Sequence, residues 1–454
     1  MESEPVPPRR TFVSRLVDAR SGEGPSIAWA AAYFFLLLCA NFLLRPVREA
    51  LGIAGGADKL PLVWTGTLAL SLAVQPIFAT LIRKLPRRRF LPLVYHVSVL
   101  FLLAFRAAFE FGPTSWQVGI GYGFYIWFSV FNLFALSVFW GFAADLFRLE
   151  QAKRIFGFVS VGGTAGAVVG SALAGALVQR IGALNLLFVG CVLLELAVVC
   201  VHVLARRHGV DTPREIVQSA PTNAPRSTSM WRGLAYVMRS PYLQGICAFT
   251  FFYTLFKTIL YYQTGHLVEA AIDTRNERTA YYANVDLVAN LLTLFLQIFV
   301  TGHMIRRLGV TFALLTQPVV GGIVCIGLGL MIWRGSAVLG DGPIAFGLTA
   351  ELLGVALASI LFSASNFATA KPARESLYTV VERDVKYASK NFVDTFVYRA
   401  GDLIGAWSFS GLHKGLGIGL AAIALGGAPL AVAWLGVGIL LGRAQARLAR
   451  ESDL

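Results

Sequence analysis

Apolar runs long enough to cross a bilayer recur along the whole chain, and no polar stretch between them is long enough to fold into a domain of its own. A spanning α-helix needs about 20 mostly apolar residues, since it rises 1.5 Å per residue and the hydrocarbon layer is about 30 Å thick. Runs of that kind lie at 27–51, 61–82, 90–111, 118–142, 155–178, 184–205, 243–267, 284–304, 310–333, 343–370, 391–412 and 418–441. Hydrophobic residues make up 56% of the chain and charged ones only 14%, so lipid is the solvent for most of the surface. The expected fold class is an all-α membrane protein, with twelve transmembrane helices in two pseudo-symmetric six-helix bundles. The boundaries read from the pattern are a cytoplasmic tail at 1–25, an N-terminal bundle at 26–205, a polar linker at 206–241, a C-terminal bundle at 242–442 and a second tail at 443–454.

The net charge of +14 would suggest a nucleic-acid partner in a soluble protein. Here the lysines and arginines collect in alternate segments: the N-terminal tail, 83–89, 148–154, 206–241, 306–307, 371–390 and 443–450. Cations favour the cytoplasmic side of short loops. The expected topology is therefore multi-pass in the cell (inner) membrane with both termini cytoplasmic, the bilayer as partner and no nucleic acid. The first 25 residues carry arginines and prolines but no apolar core, which argues against a secretory signal. Cys39, Cys191, Cys200, Cys247 and Cys325 all sit inside apolar runs without metal-ligand spacing, so neither a metal nor a cofactor is expected. No G-x-x-x-x-G-K-[ST] loop and no catalytic triad or H-E-x-x-H pattern occurs, which disfavours ATP hydrolysis and enzymology.

Two devices repeat between the halves. Arg83-Lys84-Leu85-Pro86-Arg87-Arg88-Arg89 follows the second run, and Arg306-Arg307-Leu308-Gly309 follows the eighth. Gly166 and Gly170 in the fifth run are matched by Gly401 and Gly405 in the eleventh, and Gly162, Gly166 and Gly170 form a ladder suited to close helix packing in lipid. Duplicated six-helix halves with a short basic loop in the same place resemble the major facilitator fold.

An ionisable group at membrane depth costs about 2.5–3.5 kcal/mol on insertion scales, so each one calls for a reason. Lys257 lies near the middle of an apolar run and reads as a cation in a central cavity, or as one member of an assembly ion pair. The first run ends in Arg45-Pro46-Val47-Arg48-Glu49-Ala50-Leu51, and Lys371-Pro372-Ala373-Arg374-Glu375-Ser376-Leu377 repeats that chemistry in the second half. Paired guanidinium groups suit phosphate or carboxylate oxygens, while the plainer reading is an interfacial salt-bridge cluster. Lys390, Asp394 and Arg399 border or enter the eleventh run. Asp286 and Glu351 are candidates to carry a coupling proton or to neutralise Lys257, and His96, His202 and His303 read as isolated interfacial residues.

At these residues the sequence resembles the bacterial and plastidic ATP/ADP translocase family. Leu44-Arg45 with Arg48, Glu49 and Leu51 is similar to that family's Leu-Arg…Lys-Asp…Leu segment. Pro372 to Glu375, Tyr378, Lys386 with Lys390, Asp394, and Arg399 with Gly401 match its second-half stretch, and Phe139-Trp140-Gly141-Phe142 its fourth-to-fifth junction. The resemblance implies nucleotide exchange, with Arg48, Arg374 and Lys390 at substrate-related positions. Four positions depart from the family pattern: Arg48 and Arg374 replace lysines, Glu49 replaces Asp, and Asp402 stands where a basic residue is usual.

The leading expectation is a monomeric secondary transporter of an anionic solute, working by alternating access, with ATP/ADP as the substrate the resemblance suggests. A non-nucleotide organic anion, and a scaffold or lipid-handling protein on a transporter fold, stay open. The substrate-site residues expected are Arg45, Arg48, Glu49, Lys257, Lys371, Arg374, Glu375, Lys390, Asp394 and Arg399.

Overall fold

A computed structural model describes residues 23–147, 149–208, 230–339 and 348–452. The helices are α1 (Gly24–Gly52), α2 (Leu60–Lys84), α3 (Arg87–Phe111), α4 (Gln117–Leu146), α5 (Leu149–Ile181) and α6 (Leu186–His208). After the linker come α7 (Pro241–Ala271), α8 (275–308), α9 (310–339), α10 (350–380), α11 (383–415) and α12 (Leu420–Ser452). The expected start of the tenth helix at 343, like residues 1–22 of the first tail and most of the linker, lies outside the described residues, whereas the expected second tail at 443–454 is helical as far as Ser452 and continues α12.

Local chemistry explains where these helices break and where they do not. The continuous helical stretch 275–334 holds 60 residues, about 90 Å of helix and far more than one crossing needs. It divides at Gly309, whose φ of 81° belongs to the left-handed region that glycine tolerates, and this separates α8 from α9. By contrast, α1 runs through Pro46 as one helix. Despite the charged residues in its first half, α11 is a helix of full crossing length and extends the expected run at 391–412 at both ends. The linker is not wholly irregular: Met230–Arg239 is helical and strongly amphipathic, and Gly233 packs closely on Ala388 and Phe392 of α11.

The chain divides into two compact units. Unit 1 comprises 1–48 and 70–216, unit 2 comprises 49–69 and 217–454. The expected boundary is corrected in one respect, because the end of α1 and the start of α2 pack with the second half. Ile53, Ala57 and Leu60 belong to the same core as Leu260, Leu267 and Val268 of α7.

Within unit 1, the glycine ladder of α5 lies against the backbone of α1. A Cβ at Gly162 would come 2.7 Å from the carbonyl oxygen of Ala31, and Gly166 and Gly170 meet the carbonyls of Phe35 and Cys39 still more closely. Both helices advance by four residues between contacts, so the two axes stay in register over two turns. Within unit 2, Gly401 of α11 meets Thr254 of α7, and a Cβ at Gly405 would stand 3.0 Å from that of Thr258. The fifth helix on the first and the eleventh on the seventh are the same packing made twice. His96 is not isolated: its Nδ1 lies 2.9 Å from Oε1 of Glu195, linking α3 to α6.

Candidate functional site: cations and aromatic rings on α7, α10 and α11

Tyr253, Lys257 and Tyr261 follow one another at four-residue spacing on α7 and so share a face. Tyr398 and Asp402 repeat that spacing on α11. The small Gly401 and Gly405 on either side of Asp402 let α11 approach α7 closely enough for an ion pair, with Lys257 Nζ 2.9 Å from Asp402 Oδ1 and 3.2 Å from Oδ2. Nζ also lies 3.4 Å from the Tyr398 hydroxyl, and Thr258 Oγ1 stands 3.5 Å from Asp402 Oδ1. This corrects the sequence expectation that Asp286 or Glu351 neutralises Lys257. Glu351 instead sits in the first turn of α10, where a carboxylate complements the helix dipole, and Asp286 is half-buried on α8.

The pair is lopsided in its access to solvent. The side chain of Asp402 is 9% exposed and that of Lys257 31%, so the open side of the pair is the ammonium. Aromatic rings flank that side, with the Tyr398 centroid 4.7 Å and the Trp64 centroid 5.7 Å from Nζ. Tyr253 stacks in parallel on Phe362 at 6.0 Å and carries the Arg374 guanidinium 5.2 Å from its ring centroid. The N–H donors of Arg374 have no hydrogen-bond partner among the described residues, which leaves a forked donor set available to an oxyanion.

Around this core the sequence-predicted residues fall into three groups. Lys390 and Glu375 form a close ion pair joining α11 to α10, and Glu49 accepts a 2.5 Å hydrogen bond from the Tyr261 hydroxyl. Lys371 is exposed and lies over the ring of Phe367, Asp394 is exposed on the π turn Val393–Val397, and Arg399 is half-buried beside Tyr398. In unit 1, Arg48 donates to Ser129 Oγ at 3.3 Å and stacks 4.9 Å from the Tyr125 centroid, while Arg45 lies over Phe42.

A family model described as TLC ATP/ADP transporter matches residues 114–434. The chain belongs to that family. ADP,ATP carrier protein 1 of Chlamydia trachomatis is 24% identical over 308 residues, covering 64% of this chain and 58% of the carrier. The carrier of the same name from Chlamydia pneumoniae is 23% identical over 310 residues, covering 64% and 60%. The chain thus matches these relatives over about three fifths of their length. Among solved structures, the nucleoside transporter NupG aligns with a TM-score of 0.61 at 12% identity, over 92% of this chain and 98% of that one. A bacterial homologue of the iron transporter ferroportin, inward-facing, aligns at 0.57 with 14% identity, over 90% and 98%. At such identities the likeness establishes the fold, a multi-pass membrane bundle of the major facilitator type.

Proposed function

We propose that the chain exchanges an anionic solute across the membrane by alternating access, with ATP and ADP as the first substrates to test. One observation carries this reading: the open ammonium of Lys257 and the unengaged guanidinium of Arg374 flank the same aromatic pair, Tyr253 and Tyr398. Cations offer charge-assisted hydrogen bonds to phosphate oxygens, and tyrosine and tryptophan faces offer a surface for a planar base. Membership of a family of nucleotide carriers supports the same substrate class. Lys371 and Arg399 extend the positive field, Lys390 stands beside them paired with Glu375, and Arg45 and Arg48 are the cations of the first half in this reading. The working unit is a monomer with both termini in the cytoplasm, in the inner membrane.

The test is counterflow in proteoliposomes, using labelled ATP outside with ADP, ATP or no nucleotide inside. Uptake that requires internal nucleotide supports exchange. Absence of nucleotide flux from a preparation that melts cooperatively rules that substrate out.

Asp402 favours a second reading. A carboxylate that already neutralises Lys257 must be displaced or protonated before an anion can take its place, which suits a proton-coupled organic-anion carrier. A pH gradient that drives uptake of a labelled organic anion without internal substrate distinguishes this from obligate exchange.

A further inference from the structure

Three side chains far apart in sequence meet at one end of α7 and α11, away from the anion site. Asp58 comes from the short 3-10 turn Ala57–Lys59 between α1 and α2, His266 from α7, and His413 from the π turn Gly411–Gly415 that ends α11. One ligand atom of each lies within 4.8 Å of the other two, and all three residues belong to unit 2. We propose that Asp58, His266 and His413 form a binding site for a divalent transition-metal ion of the zinc type, with three protein ligands and an open fourth position.

The donor set fits that chemistry. Two imidazoles and one carboxylate match the borderline ligands that zinc takes, and magnesium or calcium would call for oxygen donors throughout. His413 Nδ1 lies 2.9 Å from the backbone carbonyl of Ile418. Donation there fixes the tautomer and leaves Nε2 with a lone pair, the usual outer-sphere arrangement of a metal-binding histidine. His266 is held by rings on two sides, Phe409 stacked at 5.7 Å and His413 edge-on at 4.8 Å. Asp58 is placed by its neighbour, since the Ala57 amide donates to Glu269 Oε2 at 2.7 Å, less than one turn beyond His266 on α7. The ligand atoms are also not consumed by one another: His266 Nε2 to Asp58 Oδ1 and Lys414 Nζ to Asp58 Oδ2 are both 3.7 Å, longer than hydrogen bonds. Ligands at about 2.1 Å from a tetrahedral ion stand about 3.4 Å apart, so binding draws the three groups together by roughly an ångström. The exposed contact from Lys414 gives way at little cost, because such surface pairs contribute almost nothing to stability. Once bound, the ion ties the α1–α2 connection to the ends of α7 and α11.

The test uses the purified full-length chain, freed of any polyhistidine tag and stripped with chelator. Calorimetric titration with zinc chloride is expected to give one ion per chain at micromolar or tighter affinity, with magnesium chloride giving no heat. Cobalt(II) should show the intense visible bands of a four-coordinate site. His266→Ala, His413→Ala and Asp58→Asn should each weaken zinc binding by at least about tenfold, the scale on which even outer-sphere partners act. Zinc should also raise the melting temperature of the wild type and not that of the His266→Ala/His413→Ala double variant. Since Asp58 is exposed, its variant folds even where a histidine variant does not. No saturable zinc binding by the wild type overturns the assignment, as does wild-type affinity in all three single variants.

Discussion

A lysine and an aspartate that meet inside a helix bundle stabilise it only as a pair. Removing one partner from a buried pair costs about 3–5 kcal/mol, because a charge is then left without compensation in a poor solvent. The two partners here are unequally buried, so the two removals should differ. Lys257→Ala strands a carboxylate that is 9% exposed and should lower the melting temperature most; Asp402→Asn leaves a lysine with partial access to water and should lower it less. The double variant Lys257→Ala/Asp402→Asn should recover much of the loss. Melting curves in detergent measure all three, and strictly additive losses would show that the pair is not coupled. In counterflow, Lys257→Ala should abolish exchange even in the rescued double variant, since the cation itself is gone. Lys257 was legible in the sequence as a charge in an apolar run. Its partner was not, because Asp402 lies 145 positions away on a helix whose polarity hides its role. Tyr253, Tyr398 and Trp64 were equally hidden, since a chain with 33 phenylalanines and 14 tyrosines offers no contrast by which to single them out. Asp58, His266 and His413 follow no local spacing either, and only the fold brings them together.

At the scale of elements, what matters is how closely helices approach and where an extra residue is absorbed. Asn41 and Arg45 are four apart, whereas their counterparts Asn366 and Lys371 are five apart. The π turn Asn366–Ala370 takes up the difference, so the two copies of the cation-Pro-x-Arg-Glu motif follow their asparagines on helices of different winding. Sequence comparison showed the motif in order but not the π turn, because one additional residue in an apolar stretch leaves no mark on hydropathy. The glycine ladder, in contrast, was legible from spacing alone. It also allows a comparison between the halves. At Gly166 an added methyl meets the backbone carbonyl of Phe35, which cannot move without bending α1; at Gly401 it meets the hydroxyl of Thr254, which can rotate. Overpacking costs about 1–3 kcal/mol where the surroundings cannot yield. Gly166→Ala is therefore expected to lower the melting temperature more than Gly401→Ala, and the reverse order would show that α5 and α1 have slack the close approach denies.

For the whole molecule, twelve crossings would put both termini on one side, and we propose from the distribution of cations that this side is the cytoplasm. The basic segment after α2 and the Thr114–Trp116 turn between α3 and α4 are separated by a single crossing, so they must face opposite compartments. Positive charge near the membrane favours the cytoplasmic face because the translocation machinery and the anionic leaflet both hold it there. Lys84 and Ser115 are exposed and report on the two faces. The five native cysteines are free, so they are first replaced to give a background without thiols. In intact cells, Ser115→Cys should then react with a membrane-impermeant maleimide, and Lys84→Cys should react only after the membrane is opened. The opposite pattern would place both termini outside. It would also turn the Asp58, His266 and His413 cluster toward the cytoplasm, because the connection between α1 and α2 lies on the same side as that between α3 and α4. One labelling experiment thus fixes which compartment a metal would reach the site from.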